Sequence, residues 1–174
     1  MTKLVFSNIF RFLALIVVQI LFLNYVNLGG YMIPFIYILA VLMLPTRMGR
    51  IPMLLVAFGS GLIVDLFCNI PGFHTFSCTM MAFFRIILGN RMLTRDDQAE
   101  ADIDVPSIYT VPTQSYMAYL IVMAVVYSVT YSLLEAFSFG NFGVTMLSAL
   151  LDAAITWVLM MLFQLFLTKK ISTV

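Results

Sequence analysis

The stretch IPMLLVAFGSGLIVDLFC (51–68), followed by NIPG (69–72) and FHTFSCTMMAFFRIIL (73–88), sets two apolar runs on either side of a short turn signal. Asp65 in the first run and His74 and Arg85 in the second are their only charged or imidazole side chains. About 20 apolar residues are needed for a helix to cross the hydrocarbon core of a bilayer, and an Asn-x-Pro-Gly cluster is a strong breaker. The reading is a transmembrane helical hairpin.

Working outward from this hairpin, further apolar runs occupy 12–28, 31–44, 116–137 and 144–167, bounded by Gly29-Gly30, Pro45, Gly89-Asn90 and the polar residues before 116. The expected fold is all-α, a polytopic six-helix transmembrane bundle forming one domain over 1–174. The second run covers only about 21 Å at ~1.5 Å per residue, short enough to be partly re-entrant. With 63% hydrophobic and 10% charged residues and a mean hydropathy of +1.06, the chain cannot cover a water-facing surface, since soluble domains carry about 25% charged residues. Lys3 and Arg11 ahead of an apolar run imitate a signal peptide, but no small-x-small cleavage site follows, so the run is read as a retained helix.

The basic residues set an orientation. With six crossings and a cytoplasmic N-terminus, Lys3, Arg11, Arg47, Arg50, Arg91, Arg95, Lys169 and Lys170 all lie on the cytoplasmic side, as the positive-inside rule requires. Arg85 alone lies within a span. The expected location is the bacterial inner membrane, with both termini cytoplasmic. The 90–115 loop is also cytoplasmic and carries Asp96, Asp97, Glu100, Asp102 and Asp104, with Pro106 and Pro112. It reads as a solvated connector or as a docking strip for a basic partner.

Ionisable groups inside a span are costly and need a reason. Ala57, Gly61 and Asp65 recur every four residues, as do Ser148, Asp152 and Thr156, while Ser128, Ser132 and Glu135 form a third stripe. Residues so spaced share a helix face, and small residues there let helices approach closely. The first expectation is that the three carboxylates, all in the outer half, bind the third, fifth and sixth helices together. Contact with a partner's helix and capture of an ion or small ligand are the alternatives. If Asp65 acts through hydrogen bonds, an amide in its place should serve. Arg85 lies near enough to the cytoplasmic boundary to snorkel to the phosphate level; an interhelical hydrogen bond is its alternative. Cys68 and Cys78 could form a disulfide, but the short turn between helical flanks favours two thiols. No cluster has metal-ligand spacing, and no nucleophile motif, phosphate loop or cofactor box is present. Net charge +1 gives no reason to expect nucleic acid.

The motif Gly61-Leu-Ile-Val-Asp65-Leu-Phe-Cys-Asn69-Ile-Pro71-Gly72-Phe-His74 resembles the signature of the rod shape-determining MreD family. Ala82-Phe83-Phe84-Arg85, Leu134-Glu135-Ala136-Phe137-Ser138-Phe139 and the first hairpin, from Gln19 through Tyr31, Pro34 and Tyr37 to Pro45, are similar to the branch found in Bacteroidetes. Asp152 departs from the small neutral residue that the family pattern leads one to expect. The resemblance implies a non-enzymatic role in cell elongation and lateral peptidoglycan synthesis, without cofactor or metal. Its implied partners are MreC, a single-span membrane protein, together with MreB, RodA, the elongation penicillin-binding protein and membrane lipids. MreD proteins are also held to be similar in fold to substrate-binding subunits of energy-coupling-factor vitamin transporters, which supplies a second expectation, a small-molecule transporter subunit. Such subunits typically carry an Ala-x-x-x-Ala pattern on their first helix, where this chain has only Ala14 among large residues.

Overall fold

A computed structural model describes residues 2–21, 33–45, 48–89, 106, 111–136 and 142–169. The described residues form helices joined by turns and short irregular pieces, with no strand among them. Helix α1 spans Thr2–Leu21, α2 Ile38–Leu42, α3 Arg50–Cys68, α4 Phe73–Phe84, α5 Thr113–Ala136 and α6 Phe142–Lys169. A wider π-helical turn, Arg85–Gly89, continues α4. Residues 22–28 of the expected first span and the acidic residues of the 90–115 loop lie outside the described residues.

Helix α1 begins earlier than its apolar run, because nothing in 2–11 breaks a helix. The expectation of a helix throughout 31–44 is corrected. Ile33–Phe35 have no regular secondary structure, Ile36 and Tyr37 form a turn, and only five residues are helical. Pro34 has no N–H to donate and disfavours helical backbone at the residue before it. Phe35 to Leu42 are nonetheless the most deeply buried stretch, none of them more than 6% exposed.

Around this buried piece α3 packs on α4, α4 on α5, and α5 on α6, while α1 lies against α2 and α3. Three helices among the described residues are long and apolar enough to cross a membrane: Arg50–Cys68, Thr113–Ala136 and Phe142–Leu165. Phe12–Leu21 and Phe73–Gly89 are shorter apolar helices. Polarity is distributed inside out. Asp65, Arg85 and Asp152 are buried, whereas Ile51, Leu55, Leu62 and Leu66 of α3 and Val144, Leu147, Leu151, Val158, Leu162 and Leu165 of α6 face outward. Soluble monomers rarely expose such continuous apolar surface; a bilayer accepts it.

The α3–α4 hairpin is shaped by its turn. Asn69 ends α3 with left-handed backbone, φ 55° and ψ 40°, a conformation Asn tolerates better than most residues. Ile70 N–H donates to Asp65 O at 3.0 Å, closing the last turn. Gly72 opens α4 at φ 86°, where a side chain is strained. The helices then meet at Gly61. A Cβ built there would lie 2.5 Å from Thr75 Cα and 2.7 Å from His74 O. Two residues away, Gly59 has nothing within 4 Å of the same construction.

Gly61→Ala should therefore destabilise the purified protein by about 1–3 kcal/mol, the usual cost of overpacking. Gly59→Ala should stay near wild type. Thermal unfolding of both variants in one detergent checks this, and equal melting temperatures would contradict it.

Candidate functional site

The polar side chains inside the bundle converge on two stretches of backbone that cannot satisfy themselves. The first is the opening turn of α4, whose first N–H groups have no partner within the helix. Asp65 supplies the acceptors from α3. Its Oδ1 accepts from His74 N at 3.1 Å, and its Oδ2 accepts from Thr75 N at 2.7 Å and from Thr75 Oγ1. A carboxylate there also meets the positive end of the helix dipole. Gly61, four residues before Asp65, provides the close approach that makes the reach short.

The second stretch is the crossing from Ile33 to Leu44. At its start Gln19 of α1 acts twice: Nε2 donates to Pro34 O at 3.0 Å, and Oε1 accepts from Ile36 N at 2.8 Å and Tyr37 N at 3.5 Å. From α6, Asp152 Oδ1 accepts from Ile33 N at 2.8 Å and Thr156 Oγ1 from Phe35 N at 3.0 Å. At the far end Arg85 donates through Nη1 to Val41 O and through Nη2 to Leu44 O. Tyr119 Oη adds a longer bond to Leu42 O at 3.4 Å. The partners progress along the bundle, with the start of α4 beside Tyr37 and its end beside Val41 and Leu44.

Arg85 thus turns inward and is 3% exposed; its expected snorkelling is replaced by bonds to a neighbouring segment. The planar guanidinium suits this, since it offers parallel donors in a fixed fork. The π-helical turn that follows is a common device for re-aiming side chains. Gly89 belongs to it: a Cβ at that position would sit 3.3 Å from Arg85 Cγ and 3.7 Å from Tyr119 Cε2.

Between the two clusters lies an aromatic box of Phe35, Tyr37, His74, Tyr127 and Tyr131. Ring centroids are 5.7 Å apart for Phe35 and His74, 4.8 Å for Phe35 and Tyr131, and 4.9 Å for His74 and Tyr131. His74 Nδ1 meets Tyr127 Oη at 2.6 Å, and Tyr127 Oη meets Tyr37 Oη at 2.8 Å.

The stripes read from the sequence divide accordingly. Ala57, Gly61 and Asp65 are buried against α4, and Asp152 and Thr156 against the 33–36 segment, while Ser148 is half-buried and Glu135 exposed. The carboxylates do not join α3, α5 and α6 as expected, because Asp65 engages α4 and Asp152 engages the crossing. Asn69 and Pro71 lie exposed in the turn, Gly72 is half-buried, and His74 is buried behind it. Gln19, Tyr119 and Tyr127 escaped the reading of the spans. A glutamine in the middle of the 12–28 run was the available signal. Cys68 and Cys78 are not joined by a disulfide, and no three His, Cys, Asp or Glu side chains among the described residues are grouped to hold a metal. Compared with protein-family models, curated proteins and solved structures, the chain matches none.

The two aspartates should respond differently to amide substitution. Asp65 accepts with both oxygens, so Asp65→Asn aims an NH2 at the donors of Thr75 and should cost about 1–3 kcal/mol. This reverses the tolerance expected from the sequence. Asp152 accepts one bond on one oxygen, which an amide retains, so Asp152→Asn should melt near wild type and Asp152→Leu well below it. Denaturation in detergent ranks the variants, and equal tolerance of asparagine at both sites would contradict the assignment.

Proposed function

We propose that this chain is a six-span protein of the bacterial inner membrane, of the MreD type, serving cell elongation as a non-enzymatic scaffold that holds MreC. The observation that supports the reading is that the residues carrying the resemblance act as one unit. Gly61 admits the backbone of Thr75, Asp65 caps α4 through His74 and Thr75, and Asn69 and Gly72 supply the left-handed turn between them. A chance likeness between apolar sequences would rest on Leu, Ile and Phe; here the matching positions are the Gly, Asp and Asn on which one hairpin depends. Asp152, the departure from the family pattern, acts in the second crossing.

In this reading the crossings are α1, the 33–44 segment, α3, α4 with its π turn, α5 and α6. The second is a buried non-helical piece and short helix instead of a spanning helix. Non-helical backbone at membrane depth is tolerated where protein encloses it. Both termini and the 90–115 loop then face the cytoplasm, on the side of the loop lysines and arginines. Scaffolding follows from where the polar groups are engaged. The buried side chains hold the chain's own backbone, and apolar helix faces such as those of α3 and α6 remain for lipid and for a single-span partner. Within a bilayer such a partner associates by close packing and hydrogen bonding. MreB, RodA and the elongation penicillin-binding protein would join through the same assembly.

Reporter fusions near Glu100 and after Lys170 should both read as cytoplasmic; a periplasmic reading at either would remove the six-span topology.

Affinity purification of the tagged chain from native membranes should recover MreC in mild detergent. Recovery of a vitamin-like molecule with an ATPase-driven module, and no MreC, would favour the transporter subunit instead.

A further inference from the structure

The crossing is held in two different ways along its length. In 33–37 every backbone N–H is bonded to a side chain of another helix. Ile33 N and Phe35 N donate to Asp152 and Thr156 of α6, and Ile36 N and Tyr37 N donate to Gln19 of α1. Pro34 has no N–H, and its carbonyl accepts from the same Gln19. From Leu39 onward the segment bonds to itself: Leu39 N, Ala40 N, Met43 N and Leu44 N donate to Ile36 O, Tyr37 O, Leu39 O and Val41 O. Arg85 then holds the end through Val41 O and Leu44 O. The first part thus depends for its N–H groups on α1 and α6, whereas the second carries its own bonds.

The two holding helices pack on different neighbours, α1 on α2 and α3 and α6 chiefly on α5. We infer that 33–37 is a strap that fastens α6 to α1 and opens as a unit, while 42–44 stay seated beside Arg85. The strap also rests on α4 and α5, with the Phe35 ring 4.8 Å from Tyr131 and 5.7 Å from His74, but these contacts satisfy no backbone group. A buried N–H left without an acceptor costs more than a typical hydrogen bond contributes. Release of the strap from one helix therefore favours its release from the other, because Gln19, Asp152 and Thr156 serve alternate positions of one five-residue piece.

Amide hydrogen exchange resolves local opening of this kind. It is followed residue by residue by mass spectrometry on the full-length protein in detergent. One variant, Asp152→Leu with Thr156→Val, removes the acceptors on α6; the other, Gln19→Met, removes those on α1. Either should speed exchange at 33–37 by about tenfold or more, the scale of two lost hydrogen bonds. The decisive amides are those whose own acceptor is intact: Ile36 and Tyr37 in the α6 variant, Ile33 and Phe35 in the Gln19 variant. These should speed up with the rest, while 42–44 and the amides of α4 keep wild-type rates. Asp152→Asn, which retains an acceptor, should leave the strap protected. Should the double variant not yield monodisperse protein, Thr156→Val alone takes its place with the same reading. Faster exchange only at amides that lost their own acceptor, faster exchange spreading through 42–44 and α4, or no change at 33–37 would each overturn the inference.

Discussion

The constraint on which the rest of this structure depends is the backbone of 33–44. Most of its residues are buried, yet only five of them are helical, so backbone groups at its start, among them Ile33 N, Pro34 O and Phe35 N, lie outside any helical ladder. In a lipid-facing protein water cannot make up the difference, and each unsatisfied group costs several kcal/mol. The protein answers with side chains from four helices: Gln19 of α1, Arg85 at the end of α4, Tyr119 of α5, and Asp152 with Thr156 of α6. Each of these is expensive inside an apolar helix when unpaired. Paired with backbone, each removes two penalties at once.

The same economy of polar groups explains the α3–α4 hairpin. The first N–H groups of α4 have no partner within the helix and need acceptors from elsewhere. Asp65 reaches them because Gly61 brings α3 against the backbone of Thr75. The small residue and the acid are therefore one device: the first sets the distance and the second uses it. A stripe of small residues ending in an acid thus indicates a packed seam between helices of the same chain. The apolar rows of α3 and α6 face outward instead.

An interior built in this way is specific and stiff. Hydrogen bonds to fixed backbone atoms have direction, whereas apolar packing alone tolerates many arrangements. The aromatic box between the two clusters lets the crossing, α4 and α5 share contacts. A protein whose polar groups are turned inward presents an apolar surface to lipid while keeping one internal arrangement.

Sequence alone determined the class of this protein. Apolar length and the scarcity of charge imply membrane helices whatever the details, because the cost of burying charge in lipid leaves few other solutions. Gly, Pro and Asn marked the hairpin turn for equally local reasons, and helices α3 to α6 lie close to their apolar runs. The second run was different. Its hydropathy suits a helix, and only its shortness left room for partial re-entry. That a non-helical chain survives there was decided by acceptors and donors lying far away in sequence, as with Asp152, 119 residues from Ile33. Periodicity could show that Asp65 and Asp152 share faces with small or polar neighbours, but not what they face. Hydrogen bonds are directional and short, so their pairing exists only once the helices are packed, and tertiary structure alone assigned each polar group to the backbone it serves.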